Sequence, residues 1–242
     1  MHVPQFFVKS SDIILNTCRI TGDDFRHLVA ARRIRRGDNI QLRNETGSCL
    51  SGRVVEISDS FIEVTVLEEL NCVHRPVEIT LCMSLLKGKN FDRLIEKAVE
   101  IGVSRIIPVV SERTTPHPTD AQAKLKRWKR KALEAAKQCM TASVPEVERI
   151  HSFQEMIDAS HAGIRMMAHP GSEVSMKDFL RQRRHVKAVL LVGPEGGFSQ
   201  KEVDDAVHAG WACVNFGFSQ LRAGTAAVVL CGIIIYEWGM SG

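Results

Sequence analysis

The order of apolar and polar positions changes near residue 70 and divides the chain into two parts. Before that point, short runs rich in β-branched and aromatic residues alternate with Gly, Asp, Asn and Ser, a pattern typical of strands. The runs lie at residues 6–8, 39–42, 53–57 and 61–66, and residues 23–32 have helical spacing. We therefore predict a small β-barrel over residues 1–72.

After residue 76, apolar runs of strand length alternate with stretches of helical spacing. The predicted strands are 77–86, 105–110, 164–168, 188–192 and 213–216. The first predicted helix has an apolar stripe of Phe91, Leu94, Ile95, Ala98 and Val99, and the others are 120–140, 152–159, 199–209 and 225–237. Gly102 is placed to end the first of these helices. Strands separated by helices form parallel sheets with both faces covered. We therefore predict an α/β domain over residues 73–242, with the boundary between residues 70 and 76.

Composition argues against a disordered chain, a disulfide-stabilised scaffold and a zinc protein. With 44% hydrophobic and 25% charged residues, the chain has enough apolar side chains for a packed core. Its net charge of +4 is compatible with a polyanionic partner without requiring one. The seven cysteines are odd in number and lack metal-type spacing, so we expect buried, reduced thiols, no disulfides and no metal site.

The sequence gives no sign of a membrane or an export signal. The N-terminal residues lack a basic segment followed by a long apolar one. The most apolar segment, residues 226–236, is shorter than the roughly 20 residues that cross a bilayer. We expect a cytoplasmic protein.

The segment most informative about function is the predicted strand 188–192 and the glycine-rich loop Gly193-Pro194-Glu195-Gly196-Gly197 that follows it. Ser199 and Glu202 have the spacing of a capping box, which places the start of the next helix. Parallel sheets bind ligands at the carboxyl ends of their strands, and glycines let backbone groups approach a ligand. A tight turn would also require glycines, so spacing alone leaves both interpretations open. The loop matches neither a Walker loop nor a dinucleotide fingerprint.

Two other strand ends carry candidate residues. Phe216 ends one predicted strand and Gly217 follows it, and Leu221-Arg222 stand directly before the apolar C-terminal helix. A cation at a helix N-terminus opposes the helix dipole, so Arg222 is a functional candidate, although an exposed solubilising arginine would fit as well. The strand 164–168 is followed by His169, which by itself is more typical of a structural residue.

The predicted helix 120–140 has a basic first half and an apolar stripe. The stripe comprises Leu125, Trp128, Ala132, Ala135, Ala136 and Cys139, and the basic residues are Lys124, Lys126, Arg127, Lys129, Arg130 and Lys131. Such a cluster is either a solvated face or a surface for phosphates.

Taken together, these segments resemble the 16S ribosomal RNA N3-uridine methyltransferases of the SPOUT superfamily. The resemblance rests on the segment from Gly193 to Ser199 and on Leu221-Arg222-x-x-Thr225-Ala226. It continues through Lys87-Gly88, Ile95 to Val103, Glu112-Arg113, Trp128 and Glu134-Ala135-Ala136-x-Gln138, and includes PUA-like matches at His27-Leu28 and from Arg33 to Asp38. These motifs occur in order over nearly the whole chain.

The resemblance implies a SPOUT-type, trefoil-knotted C-terminal domain and a PUA-like N-terminal domain. It also implies a homodimer that methylates N3 of a uridine in 16S rRNA of the small ribosomal subunit, with S-adenosyl-L-methionine as cofactor. By position, the cofactor-binding residues would be Met167, Ala168, His169, Val192, Gly193, Pro194, Glu195, Gly196, Gly197, Phe216, Gly217, Leu221, Arg222 and Thr225. Arg222 is also the catalytic candidate. RNA phosphates would be held by Arg33, Arg35, Arg36, Arg113, Lys124, Arg127 and Lys131.

The chain departs from the family pattern in three places. Ala223-Gly224 replaces a usual Thr-Glu pair, Cys139-Met140-Thr141 replaces a segment with an arginine, and Gln5 stands at an often basic position. Three alternatives therefore stay open: ribose 2′-O methylation, an inactive RNA-binding or assembly protein, and a plain nucleotide-binding enzyme.

Overall fold

The chain folds into two compact units. The computed structural model describes residues 3–22, 25, 34–44, 47–70, 77–115, 120–139, 141, 143–217 and 221–239. The first unit takes in the described residues of 1–74 and 136–144, and the second those of 75–135 and 145–242. The predicted boundary falls largely outside the described residues, so the division at residues 72 and 73 stays a prediction.

The first unit is built on a six-stranded sheet. Its strands are β1 (Gln5–Phe7), β2 (Ile13–Ile14), β3 (Thr17–Thr21), β4 (Asn39–Arg43), β5 (Cys49–Ile57) and β6 (Phe61–Leu70), in the order β1-β4-β5-β6-β3-β2. The β1–β4 pair is parallel and the others are antiparallel. Alternate residues, among them Ile40, Leu42, Ile62 and Val64, form one buried core. The four predicted strands are present, whereas closure into a barrel stays a prediction.

The hairpin of β2 and β3 was not predicted from the sequence. Its turn has Leu15 and Asn16 at φ of 47° and 61°, a left-handed conformation that a leucine rarely adopts. Leu15 therefore gave no turn signal. The predicted helix 23–32 lies outside the described residues, except for Phe25, which is buried.

The second unit is an α/β structure with a parallel sheet, as predicted. Its strands are β7 (Glu78–Ser84), β8 (Arg105–Val110), β9 (Glu146–Val147), β10 (His151–Ser152), β11 (Ile164–Ala168), β12 (Lys187–Val192) and β13 (Ala212–Val214). The order is β10-β8-β7-β12-β11-β13, with β9 also on β8, and every pair is parallel. The helices are α1 (Asn90–Glu100), α2 (Ala121–Cys139), α3 (Phe153–Asp158), α4 (Met176–Arg181), α5 (Gln200–His208) and α6 (Ala223–Gly239).

Helices cover both faces of the central strands. Every residue of β12 from Ala188 to Val192 is buried, which requires packing on both sides of the sheet. On one face, Val189 and Leu191 join a core cluster with Phe153 of α3 and Val203 of α5. Helix α6 packs on β7 and β12 and also contacts α1 and α4. Within the described part of the chain, no helix has the length and apolar character of a membrane span.

Several details differ from the predictions. The last strand ends at Val214 instead of residue 216, because Asn215 leaves the ladder and bridges to Ser175. Helix α4 was missed. Leu125 is only half-buried, and Cys139, the last residue of α2, is exposed. Cys213 is also only half-buried, whereas Cys18, Cys49, Cys82 and Cys231 are buried as expected.

Candidate functional site

A cavity of about 580 Å³ lies at the carboxyl ends of β11, β12 and β13. Three chain segments that follow these strands, the start of α6 and Arg113 form its walls. The lining residues are Arg113, Ala168, His169, Pro170, Gly171, Val192, Gly193, Pro194, Glu195, Gly196, Gly197, Phe198, Val214, Phe216, Gly217, Leu221, Arg222, Ala223, Ala226 and Leu230. This is the sheet edge at which α/β proteins bind ligands.

Two glycines determine the shape of the glycine loop between β12 and α5. A Cβ atom at Gly193 would lie 3.0 Å from the Phe198 ring, so glycine is what lets this buried ring pack under the loop. Gly197 has φ of +68°, and its N–H donates to the carbonyl of Pro194 at 2.9 Å, which closes the turn. Phe198 in turn contacts Phe153, with ring centroids 5.6 Å apart. The loop is therefore anchored in the core while its backbone faces the cavity.

The predicted capping box fixes the end of this loop. The Ser199 hydroxyl accepts from the N–H of Glu202, and the Glu202 carboxylate accepts from the N–H of Ser199 at 2.9 Å. Glu195, at the tip of the loop, accepts weakly from the N–H of Lys87 at 3.4 Å. Arg113, predicted to contact RNA, lies at the cavity and donates to the carbonyls of Gly196 and Phe198.

The segment after β11 is fixed to β13. The N–H of His169 donates to the carbonyl of Val214 at 3.0 Å, and the Ser172 hydroxyl donates to the carbonyl of Cys213 at 2.8 Å. These bonds hold the ends of both strands together, so His169 lies at the cavity wall.

Arg222 lies at the start of α6. Its carbonyl accepts from the N–H of Ala226 at 2.8 Å, which makes it the residue that caps the helix, and its exposed side chain lines the cavity. Ala223, Ala226 and Leu230 line the adjacent wall, at spacings that share one helix face. Helical spacing could have identified these three residues, which the sequence analysis missed.

The structure brings together all but two of the predicted cofactor-binding residues. Met167 is fully buried in the core below the cavity, and Thr225 is exposed and does not line it. Part of the third loop, residues 218–220, lies outside the described residues.

The predicted RNA-binding residues have different surroundings. Arg35 and Arg36 are exposed, and Arg33 lies outside the described residues. Lys124 is half-buried, whereas Arg127 pairs with Asp92 at 2.9 Å and Lys131 with Glu96 at 2.9 Å. The hydrogen bond to Glu96 raises the pKa of Lys131. These two pairs join α2 to α1, so part of the basic helix has a structural role. Among the described residues, no group of three His, Cys, Asp or Glu side chains could hold a metal ion.

Comparisons with known proteins agree with this architecture. A model of the RNA methyltransferase PUA domain matches residues 20–67. The chain is 27% identical over 231 residues to the ribosomal RNA small subunit methyltransferase E of Bacillus subtilis, covering 91% of this chain and 90% of the relative. It is 30% identical over 175 residues to the protein of that name from Aquifex aeolicus, covering 72% of this chain and 75% of the relative.

A similar solved structure is that of a ribosomal RNA small subunit methyltransferase E from Neisseria gonorrhoeae, bound to S-adenosyl methionine. It has a TM-score of 0.86 and 28% identity, and the match covers 98% of each chain. A model of the RNA methyltransferase domain matches residues 73–235, which is more than half of the chain. The chain therefore belongs to the RNA methyltransferase family.

Proposed function

We propose that this protein transfers a methyl group from S-adenosyl-L-methionine to N3 of a uridine in 16S rRNA of the small ribosomal subunit. The observation that carries the proposal is the cavity, because its lining includes all but two of the residues that the family resemblance assigns to the cofactor. The name of the relatives and the cofactor bound in the Neisseria structure support the same assignment.

The cavity fits a nucleoside cofactor. Its glycine loop brings peptide N–H and C=O groups to the ligand without intervening side chains, which suits the polar edge of an adenine. Leu221, Ala226 and Leu230 offer apolar surface for the faces of the ring. When bound, S-adenosyl-L-methionine supplies an electrophilic methyl group on a sulfonium.

Arg222 is the residue we assign to catalysis. Uridine N3 becomes nucleophilic only when its proton leaves, and the resulting negative charge spreads over O2 and O4. A guanidinium at the cavity wall stabilises that charge, and the N-terminus of α6 beside it contributes positive partial charge. The uridine has to be unpaired or flipped out of its helix to present N3.

We assign the contacts with the RNA backbone to exposed or half-buried basic side chains. Arg35 and Arg36 in the first unit and Lys124, Lys126 and Lys129 on α2 provide positive charge outside the ion pairs that hold α2 to α1. Phosphate contacts of this kind position an RNA without reading its sequence.

We also propose that the protein forms a homodimer. Helix α6 has a single charged residue, Glu237, yet Tyr236 on it is 66% exposed, and Val229 and Ile233 are only half-buried. An apolar helix with an exposed aromatic side chain is typical of an interface. The trefoil knot, the domain division at residues 72 and 73 and a cytoplasmic location are parts of the same proposal.

The test is to incubate the protein with labelled cofactor and small ribosomal subunits that lack the modification, and to identify the labelled nucleoside by mass spectrometry. We expect N3-methyluridine. A 2′-O-methylated nucleoside would assign the chain to a different methylation. RNA binding without cofactor binding by calorimetry would favour an inactive RNA-binding protein, the candidate that Ala223-Gly224 at the start of α6 supports.

A further inference from the structure

We propose that Arg113 is a positioning residue that sets the shape of the glycine loop, and that it does not contact an RNA phosphate. The inference rests on the proposed function, because the loop serves the S-adenosyl-L-methionine site.

The Arg113 side chain joins two parts of the loop. Its Nη1 donates to the carbonyl of Gly196 at 3.0 Å and to the carbonyl of Phe198 at 3.3 Å. Its aliphatic carbons cover Gly196, since a Cβ atom added there would lie 3.5 Å from Arg113 Cβ and 3.6 Å from Cδ. One nitrogen that bridges these two carbonyls fixes the turn at Gly197 between them.

The backbone that carries Arg113 is itself fixed by buried hydroxyl groups. Ser111 and Thr114 are buried, and the N–H of Ser111 donates to Thr114 Oγ1 at 2.9 Å, while the N–H of Thr114 donates to the carbonyl of Ser111 at 3.0 Å. The Ser111 hydroxyl also shares a hydrogen bond of 3.1 Å with Ser84 at the end of β7. Buried polar groups with partners hold a turn in one conformation. Arg113 therefore projects from a defined place.

Glu112, the neighbour of Arg113, is joined to the other end of the loop. Its carboxylate accepts from the Ser199 hydroxyl at 2.7 Å, and its N–H donates to Glu202 Oε1 at 2.8 Å. The turn of residues 111–114 thus contacts the loop at Gly196, Phe198 and Ser199. A loop held in this way loses little conformational freedom when a ligand binds, which favours affinity.

The same contacts argue against a phosphate role. The guanidinium already faces two carbonyls of its own chain, and these contacts would be disturbed if it turned toward an RNA phosphate. An arginine suits this position because its planar guanidinium holds the two N–H groups of Nη1 in a fixed geometry, whereas a lysine ammonium is a flexible point charge.

The test compares three variants by calorimetry with S-adenosylhomocysteine and by fluorescence anisotropy with a 16S rRNA fragment. For Arg113→Ala we expect the Kd of S-adenosylhomocysteine to rise about 10-fold, since two charged hydrogen bonds to the loop are lost. Its RNA Kd, measured with saturating S-adenosylhomocysteine, should change less than about 2-fold. The S-adenosylhomocysteine Kd of Arg113→Lys should lie between those of Arg113→Ala and wild type. The matched control, Lys126→Ala at an exposed position of α2, should weaken RNA binding and leave the S-adenosylhomocysteine Kd unchanged.

Chemical rescue separates positioning from a general loss of structure. Guanidinium chloride well below denaturing concentration should restore part of the cofactor affinity of Arg113→Ala, whereas potassium chloride at equal ionic strength should not. An unchanged S-adenosylhomocysteine Kd in Arg113→Ala, or weaker RNA binding alone, would overturn the inference. A wild-type protein that fails to bind S-adenosylhomocysteine would instead refute the proposed function.

Discussion

Replacing Glu202 by glutamine tests the hydrogen-bond network that connects the glycine loop, helix α5 and the turn of residues 111–114. Glu202 is only 6% exposed. Its two carboxylate oxygens accept from different backbone groups, the N–H of Ser199 at 2.9 Å and the N–H of Glu112 at 2.8 Å. Glutamine has nearly the same shape but can accept at one of these positions only.

The magnitude follows from these two contacts. A hydrogen bond to a charged group contributes about 1.5–3 kcal/mol, and the amide would replace one such bond by an unfavourable contact between two donors. Loss of the negative charge in the first turn of α5 adds about 0.3–1 kcal/mol. We expect Glu202→Gln to lower the free energy of unfolding by about 2–4 kcal/mol.

The assay is equilibrium unfolding in urea followed by tryptophan fluorescence. Trp211 packs in the same core cluster as Phe198 and Val203, so its emission reports on this region. The control is Glu173→Gln at an exposed position, for which we expect a change within about 0.5 kcal/mol. If Glu202→Gln were as stable as that control, the network would not stabilise the loop.

Four other changes have defined outcomes. Gly163→Ala should lower the free energy of unfolding, measured in urea, by more than about 3 kcal/mol. Gly163 has φ of +108°, and a Cβ there would lie 2.4 Å from the carbonyl oxygen of Lys187. A smaller loss of stability would contradict this geometry. Burial lowers the pKa of His161 below 6.5, so stability should fall as pH drops below 6.5, and His161→Gln should reduce this dependence in pH-dependent urea titrations. Tyr236→Glu should lower the sedimentation coefficient toward that of a monomer. An unchanged coefficient would mean that any interface lies elsewhere on the protein. Arg222→Ala should reduce kcat about 100-fold with an S-adenosylhomocysteine Kd within about 2-fold of wild type, and wild-type turnover would exclude the electrostatic role.

Local patterns predicted the parallel sheet and the glycine-rich loop, whereas the family resemblance supplied most of the other residues of the cavity. Buried strands such as β12 consist almost entirely of apolar residues, and glycine-rich segments at their carboxyl ends mark where a ligand can approach. The capping box at Ser199 and Glu202 placed the start of α5 to within a residue. These features depend on neighbours in the sequence, which is why they could be read from it.

The features that the sequence did not predict depend on distant contacts. Arg113 is 83 residues from Gly196 along the chain, so no spacing rule relates the two. Arg127 and Lys131 belong to the basic cluster of the helix, and only the packing of α1 reveals their acidic partners, Asp92 and Glu96. The hairpin turn at Leu15 was not predicted because a leucine rarely adopts its left-handed conformation.

The most direct test of the central claim is a crystal structure of the protein grown with S-adenosylhomocysteine. We expect the ligand in the cavity at the ends of β11, β12 and β13, with its adenine against the backbone of residues 193–197 and against Leu221. Well-defined ligand density elsewhere, with those loops turned away from one another, would contradict it.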